Sequence, residues 1–320
     1  MLLDALIVLV GFVPLVKGAD MLVSGATSLA RRLGVSTLLV GLTVVAFGTS
    51  MPELAVNVFA VLRGTTDIVI GNIVGSNIAN IALILGVSAV LVPLRVKQST
   101  VWKEIPFALL AVVLVAIMAS DIGLGGMAVN VIGRVDGLVL LSLFIVFLYY
   151  VFGMAKNGKV NLNDMPKIGT RKAILYVIFG VLLLAAGGKV IVEGAVGLAA
   201  ALGMSSRFIG LTVIAIGTSL PELVTSVVAA LRKIPDLSVG NIVGSNIINV
   251  FFILGISATI APLPISAAAL LDIICCIIIT LLLFLSMFVG QRHMIDRWQG
   301  VGLVAIYCAY IGYALVSGRL

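Results

Sequence analysis

Long, continuously apolar runs occupy almost the whole sequence and leave no stretch from which a water-soluble domain could be built. Hydrophobic residues make up 62% of the 320 positions and charged residues only 10%, whereas soluble domains carry about 25% charged residues. A helix needs roughly 20 mostly apolar residues to cross a bilayer. Ten predicted spans fit that length: 3–30, 37–62, 68–92, 102–120, 131–153, 173–201, 206–231, 237–261, 267–290 and 298–317.

The spans are expected to be helices. Strands of a membrane barrel alternate apolar and polar residues, whereas the apolar residues here are consecutive. The sequence therefore predicts an all-α polytopic membrane protein with ten transmembrane helices.

The net charge of +7 reflects membrane topology and does not indicate a nucleic-acid partner. When the loops are assigned alternately to the two sides of the membrane, fourteen Lys and Arg residues fall on one side and four on the other. The positive-inside rule makes the first side cytoplasmic. We therefore expect a multi-pass cell-membrane protein with both termini extracytoplasmic, embedded in the lipid bilayer, with no nucleic-acid partner and no required protein partner.

The sequence contains an internal repeat with an offset of 169 positions. GLTVVAFGTSMPEL at 41–54 aligns with GLTVIAIGTSLPEL at 210–223, and GNIVGSNIAN at 71–80 with GNIVGSNIIN at 240–249. From Gly41 to Pro93, 31 of 53 positions are identical in the second copy. Such a repeat of half the chain is typical of secondary transporters.

Five spans per half is an odd number, so the second half is predicted to enter the membrane in the opposite orientation. The predicted organisation is a first five-helix repeat over 1–153, a polar cytoplasmic linker over 154–172, and a second, inverted five-helix repeat over 173–320. The duplicated motifs then meet near the middle of the membrane.

The motif GTSMPEL, residues 48–54, predicts an interrupted helix. Pro52 donates no backbone N–H and its ring clashes with the carbonyl of Gly48. We expect this to free backbone carbonyls near Ala46, at a depth where free carbonyls are tolerated only inside protein or around a wet cavity. The cation-attracting oxygens predicted around the two breaks belong to Ala46, Thr49 and Ser50, and to Ala215, Thr218 and Ser219.

Glu53 and Glu222 are the candidate functional residues, because ionisable groups inside a membrane mark functional sites. The alternative is a structural ion pair with Lys17 or Lys189. Those lysines do not occupy equivalent positions in the two copies, whereas the glutamates do. A symmetric pair of acids without a symmetric pair of bases favours a bound cation.

The second motif adds amide and hydroxyl oxygens. Ser76 and Asn80 are one helical turn apart and share a face, as do Ser245 and Asn249. We expect Asn80 and Asn249 to be cation ligands. Hydrogen bonds between helices explain the other four motif asparagines equally well, namely Asn72, Asn77, Asn241 and Asn246.

Every candidate ligand is an oxygen, which favours hard cations such as Ca²⁺ and Na⁺ over metals that prefer His or Cys. Two glutamates give the site a charge near −2, which one Ca²⁺ or two monovalent ions would neutralise. An empty, doubly negative site would resist crossing the membrane. The expected activity is therefore obligatory exchange, with the ions as transported substrates and with no tightly bound cofactor.

At these residues the chain resembles the calcium/cation antiporter superfamily, and within it the prokaryotic sodium/calcium exchangers. The resemblance implies that Glu53 and Glu222 hold Ca²⁺ with the backbone carbonyls of Thr49 and Thr218. It also implies that the first and sixth spans slide against the remaining helices. The implied Na⁺ ligands are Ala46, Ala215, Thr49, Thr218, Ser50, Ser219, Ser76, Ser245, Asn80 and Asn249.

One departure from the family pattern concerns Asn249, where some exchangers carry an acidic residue. The absence of that acidic residue argues against potassium co-transport and leaves the number of sodium sites open. The alternative function is proton-coupled export of Ca²⁺ or another divalent cation. That branch has an acidic residue where this chain has Gly75 and Gly244.

Other functional classes fit less well. A transporter of organic solutes usually needs an aromatic or apolar pocket, and the only aromatic residue in the motifs is Phe47. A channel could use the same oxygens but would need no counter-ion. No enzyme is predicted, since no nucleophile–base pair or cofactor motif is visible.

Overall fold

The computed structural model describes residues 2–125, 129–157, 168–202 and 215–316, and the chain is mostly helical. The helices of the first half are α1 (Leu2–Leu33), α2 (Thr37–Thr49), α3 (Met51–Leu62), α4 (Asp67–Ile78, continued through Ala79–Leu85 and Gly86–Leu91), α5 (Thr100–Met118), the short α6 (Asp121–Gly125) and α7 (Arg134–Asn157). Those of the second half are α8 (Thr170–Ala201), α9 (Ala215–Thr218), α10 (Leu220–Leu231), α11 (Pro235–Ile247, continued through Ile248–Leu254 and Gly255–Ile260), α12 (Ala267–Ser286) and α13 (Arg297–Val316). The strands are β1 (Leu94–Arg95), β2 (Val131–Ile132), β3 (Leu263–Pro264) and β4 (Met294–Ile295).

Eight of the described helices are long and apolar enough to cross a bilayer, and α2 with α3, which meet at a bend of 45°, would make a ninth. These nine coincide with nine of the ten predicted spans to within a few residues. The remaining one, 206–231, contains α9 and α10, but residues 206–214 lie outside the described ranges. The count of ten therefore stays a prediction.

The helices on either side of the predicted linker, 154–172, extend a few residues into it. α7 continues to Asn157 and α8 begins at Thr170. Residues 158–167 lie outside the part of the chain that the structure describes.

Two helices, α4 and α11, lie at the centre of the bundle. In their membrane-length windows 78% and 89% of residues are buried, against 22–39% in the other six long helices. Both contain a π-helical stretch, Ala79–Leu85 in α4 and Ile248–Leu254 in α11. These stretches occupy equivalent positions in the two repeats, and π-helical turns are frequent at functional sites.

The short strands join each half to the other. β1 pairs with β4, with Leu94 opposite Ile295, and β2 pairs with β3, with Val131 opposite Pro264. β1 and β3 are equivalent in the sequence repeat, and each pairs with a strand of the opposite half. Reciprocal pairing of this kind is expected for two halves related by a two-fold axis.

α1 and α8 pack against each other in antiparallel fashion through glycines spaced seven residues apart. A Cβ added to Gly18 would lie 2.8 Å from the carbonyl oxygen of Gly180, and one added to Gly187 would lie 2.6 Å from the backbone nitrogen of Leu15. Small residues let membrane helices approach this closely. The two helices therefore contact one another backbone to backbone.

Candidate cation site

Each GTSxPE motif lies where a helix is interrupted. α2 meets α3 at Ser50 (φ −84°, ψ 7°), and α9 meets α10 at Ser219 (φ −88°, ψ 4°). Pro52 and Pro221 lie in the first turns of α3 and α10, where a missing N–H leaves no helical hydrogen bond unmade. The predicted interruption of the second span is confirmed, and the proline begins a new helix.

Both breaks place a glutamate in the first turn of the helix that follows. Glu53 in α3 and Glu222 in α10 are each 1% exposed. The partial positive charge of a helix N-terminus stabilises a carboxylate there. That contribution is small beside the cost of burying an ionised carboxylate, so each glutamate still needs donors or a cation.

Hydroxyl groups from each half approach the carboxylate of the other. Ser50 Oγ donates to Glu222 Oε1 at 3.0 Å, and Ser219 Oγ donates to Glu53 Oε1 at 3.3 Å. The two carboxylates are close enough to interact electrostatically. The structure therefore brings these predicted residues of both motifs together in one buried site.

The two motif threonines also lie at this site. Thr49 and Thr218 each lie beside the glutamate of the opposite half. The Thr49 hydroxyl donates to Asn241 Oδ1 at 3.2 Å, and Asn241 Nδ2 donates to Ser226 Oγ at 3.0 Å. Thr49 is therefore fixed on one side by a buried polar chain and faces the carboxylate on the other.

Four asparagines cross-link α4 and α11 between the two glutamate-bearing helices. Asn77 Nδ2 donates to the carbonyl of Asn246 at 3.2 Å, and Asn246 Nδ2 donates to the carbonyl of Asn77 at 3.3 Å. Asn80 Nδ2 donates to Asn246 Oδ1 at 2.9 Å, and Asn249 Nδ2 donates to Asn77 Oδ1 at 3.0 Å. Since the side-chain NH₂ groups of Asn80 and Asn249 each donate a hydrogen bond, the side-chain Oδ1 atoms remain available as ligands.

Asn77→Ala and Asn246→Ala are expected to weaken cation binding although neither residue is a predicted ligand. Each change removes the Oδ1 acceptor that orients the side-chain amide of Asn249 or Asn80, and loss of an orienting partner typically costs about 10–100-fold in metal affinity. We expect the cation concentration for half-maximal transport to rise by that order. Ser88→Ala is the control, because Ser88 is buried on α4 and has no part in this network. Unchanged half-maximal concentrations in both asparagine variants would contradict an orienting role.

Six buried oxygens of this site have no hydrogen-bond partner. They form three pairs of equivalent atoms, Oε2 of Glu53 and Glu222, Oγ of Ser76 and Ser245, and Oδ1 of Asn80 and Asn249. Ser245 lies near the Glu222 carboxylate without the geometry of a hydrogen bond. Single unpaired atoms occur elsewhere among the described residues, Glu104 Oε2 for example. What sets these six apart is that they are oxygens of equivalent residues in both halves, and such a set suits a cation.

No basic side chain among the described residues forms an ion pair with either glutamate. Lys189 pairs with Glu193 one turn along α8, with 3.8 Å between Nζ and Oε1. Lys17 lies exposed on α1. Within the described part of the chain, neither lysine therefore neutralises Glu53 or Glu222, as the structural alternative required.

The prediction of a free carbonyl at Ala46 was wrong. The Ala46 carbonyl accepts the backbone N–H of Ser50 at 3.0 Å, and Thr49 Oγ1 lies 3.3 Å from the same oxygen. The helix continues through Thr49 and breaks only at Ser50, so the N–H four residues on still reaches Ala46. The helix hydrogen bond uses one lone pair of the Ala46 carbonyl, so its role as a ligand stays a prediction. The same holds for its equivalent, Ala215, the first residue of α9.

The ligand set contains two carboxylates only, and the described ranges hold no group of three or more His, Cys, Asp or Glu side chains that could bind a metal. Amide and hydroxyl oxygens complete the set. Such a site suits Ca²⁺ or Na⁺ and does not suit zinc or copper, which prefer nitrogen and sulfur.

Sequence reasoning missed a polar pair next to Glu53. Asn57 Nδ2 donates to the carbonyl of Glu53 at 2.7 Å and to Asn72 Oδ1 at 2.9 Å. Ser226 and Asn241 form the equivalent pair in the second half. The available signal was spacing, since Asn57 and Ser226 lie one turn after the two glutamates, on the same helix face.

An apolar cavity of about 750 Å³ lies beside the first break, between α2, α7, α8 and α11. Phe47, Phe144 and Phe252 are among its lining residues, and none of them is charged. It contains none of the carboxylate, hydroxyl or amide ligands, so it does not extend the cation site.

A bundle of bilayer-length helices that brings two buried acids and a set of unpaired oxygens together in one site is typical of a polytopic membrane transporter. The model of the family described as sodium/calcium exchanger protein matches residues 3–153 and 172–316. The chain belongs to this family. It is thus a cation antiporter and not an enzyme.

Individual relatives agree with the family over nearly their whole lengths. The putative antiporter CaxA of Alkalimonas amylolytica is 38% identical, covering 98% of each chain. The sodium/calcium exchanger MaX1 of Methanosarcina acetivorans is 34% identical, covering 96% of this chain and 97% of the relative. A solved structure of the sodium-calcium exchanger NCX_Mj matches with a TM-score of 0.83 and 34% identity over 98% of each chain.

Proposed function

We propose that the protein exchanges Na⁺ for Ca²⁺ across the cell membrane by alternating access at the two-glutamate site. The proposal includes ten membrane spans arranged as two inverted five-helix repeats, with both termini extracytoplasmic. The observation that supports it most is the set of six buried, unpaired oxygens, two of them on carboxylates, in symmetric positions. The relatives named as sodium/calcium exchangers support the choice of ions.

Glu53 and Glu222 are the proposed Ca²⁺ ligands, with Oε2 of each carboxylate directed to the ion. Oε1 of each is occupied by a serine hydroxyl of the opposite half, which fixes the orientation of the carboxylates. The proposed Na⁺ ligands are the hydroxyls and amides around them and the carbonyls at the two breaks, namely Thr49, Thr218, Ser50, Ser219, Ser76, Ser245, Asn80, Asn249, Ala46 and Ala215.

Charge balance supplies the coupling in this mechanism. One Ca²⁺ or two Na⁺ neutralise two carboxylates, and both kinds of ion compete for the same oxygens. The empty site keeps a charge near −2, which is costly to carry past a low-dielectric barrier. Only the occupied forms change sides, so inward movement of one ion requires outward movement of the other.

Reconstituted vesicles test the proposed exchange. Vesicles loaded with Na⁺ are diluted into Na⁺-free buffer that contains radioactive Ca²⁺, and uptake is measured. We expect uptake to require internal Na⁺ and to stop when an ionophore removes the Na⁺ gradient. Uptake that ignores internal Na⁺ but follows an imposed pH gradient would replace this proposal with the proton-coupled alternative, which the comparisons do not favour.

Acidification is expected to inhibit uptake, because protons bind the same carboxylate oxygens as the cations. Inhibition should develop as the pH falls from about 8 to about 5 and should be relieved by raising Ca²⁺, as for two ligands competing for one group. Initial rates over a matrix of pH and Ca²⁺ concentrations measure this. Rates that do not depend on pH at sub-saturating Ca²⁺ would contradict carboxylate ligands.

A further inference from the structure

The two halves share a sequence pattern but do not pack alike. α1 packs along α10, whereas α8, the equivalent of α1, does not pack along α3, the equivalent of α10. All four helices lie within the described ranges. Our inference rests on the proposed alternating access, in which inverted repeats exchange their arrangements. In the second conformation α8 would then lie along α3.

Arg232 joins α10 to α1 in the conformation described. It directly follows α10, and its guanidinium forms an ion pair with Asp20 and donates to Ser24 Oγ at 2.6 Å. Asp20 and Ser24 are one turn apart on α1, so both face the same side chain. One arginine therefore holds α1 against the end of a glutamate-bearing helix.

The equivalent positions in the other half carry a related set of charges. Arg63 follows α3 as Arg232 follows α10, and Lys189 and Glu193 on α8 are the equivalents of Asp20 and Ser24. Arg63 is exposed and forms no ion pair with any described residue. Lys189 and Glu193 pair with each other, with 77% and 62% of their side chains exposed.

We propose that Arg63 binds Glu193 in the second conformation, so that each conformation is latched by an arginine at the end of a glutamate-bearing helix. In the second conformation α8 packs on α3 in the way that α1 packs on α10 in the first. This packing brings Arg63 beside the turn of α8 that contains Lys189 and Glu193. The guanidinium repels Lys189 and pairs with Glu193. The acidic partner of the arginine therefore differs by one helical turn between the two latches. In the first latch it is Asp20, and in the second it is Glu193, the equivalent of Ser24.

The two latches are unequal. Asp20 serves one arginine, whereas Glu193 is shared between Arg63 and Lys189. The described conformation is therefore favoured, and removing either latch shifts the distribution between conformations by about two- to fivefold, the effect of a partly exposed ion pair.

Cross-linking tests the exchange of latches. In a background with Cys275, Cys276 and Cys308 replaced by alanine, two cysteine pairs are introduced, Asp20→Cys with Arg232→Cys and Arg63→Cys with Glu193→Cys. A short bifunctional methanethiosulfonate reagent is added to reconstituted protein, and mass spectrometry of proteolytic fragments identifies the links. We expect both pairs to be linked when tested singly, and never both in one molecule that carries all four cysteines.

Two outcomes would overturn the proposal: the second pair is never linked, or both links form in the same molecule. The linking pattern is read without a transport assay, so failure of Na⁺–Ca²⁺ exchange and failure of the latch are distinguishable. Reducing the disulfide bonds between the reagent and the cysteines should restore any transport that the link abolished.

A double-mutant cycle covers the case in which a cysteine variant fails to fold. Arg63→Ala and Glu193→Gln should each change the initial rate by about two- to fivefold, and the double variant should show no further change. Arg134→Ala is the control, since Arg134 lies at the start of α7 and contacts the carbonyl of Ile260. Effects of Arg63→Ala and Glu193→Gln that simply add would contradict the proposed pair.

Discussion

Replacing either buried glutamate by glutamine is expected to abolish Ca²⁺ uptake. Glu53→Gln and Glu222→Gln each keep the size of the side chain and the contact with the serine hydroxyl, but each removes one of two charges that hold the cation. Breaking one partner of a buried charged set costs about 3–5 kcal/mol. We therefore expect initial rates of radioactive Ca²⁺ uptake to fall by at least about a hundredfold.

The matched control is Glu104→Gln. Glu104 is also fully buried in a membrane helix. Like the two site glutamates it accepts a hydroxyl hydrogen bond on Oε1, from Tyr150, and its Oε2 has no partner, but it lies outside the cation site. This variant should transport at a rate similar to the unmodified protein. Size-exclusion profiles of all three variants establish that they fold. Full activity in either site variant would remove that glutamate from the ligands.

Gly187→Ala is expected to destabilise the packing of α1 against α8. The added Cβ would lie 2.6 Å from the backbone nitrogen of Leu15 and 2.9 Å from the carbonyl oxygen of Gly11, and backbone cannot rotate away as a side chain can. Overpacking of this kind costs about 1–3 kcal/mol. We expect the temperature of half-unfolding in detergent to fall by about 2–8 °C, as measured by the loss of the monodisperse chromatographic peak on heating.

Gly302→Ala is the control for the glycine prediction. Gly302 lies in α13, and no heavy atom of the described residues outside its own helix turns lies within 4 Å of an added Cβ. Alanine favours a helix over glycine by about 1 kcal/mol, so this change should leave the unfolding temperature unchanged or raise it. Equal shifts in the two variants would contradict a specific contact between α1 and α8.

The interruption of α2–α3 was predictable because its cause is local. Proline and glycine act within one helical turn, and their recurrence 169 positions later repeats the same geometry at Pro221. The burial of Glu53 and Glu222 followed from the length of the apolar runs around them. The mostly helical membrane fold and the burial of both glutamates could therefore be obtained from the sequence, whereas the role of these glutamates as cation ligands stays a prediction.

The partners across the two halves could not be predicted in the same way. Spacing places Asn77 and Asn80 on one helix, but it does not say that Asn246 will accept hydrogen bonds from both side-chain amides, through its backbone carbonyl and its Oδ1. Which atoms meet depends on how α4 crosses α11. The misjudged Ala46 carbonyl has a related cause, since the residue at which a helix breaks depends on the packing around it as well as on the proline.

Anomalous scattering tests the central claim most directly, because it locates a bound cation without reference to transport. Crystals of the purified protein are equilibrated with Sr²⁺ as a substitute for Ca²⁺, in the absence of Na⁺, and an anomalous difference map is calculated. We predict a peak between the two breaks, with oxygens of Glu53 and Glu222 among its ligands. Because Sr²⁺ is larger than Ca²⁺, the distances should lie at or just above the upper end of the range of about 2.3–2.6 Å found in Ca²⁺ sites. A map with no peak there, or with its main peak away from both carboxylates, would contradict the proposed site.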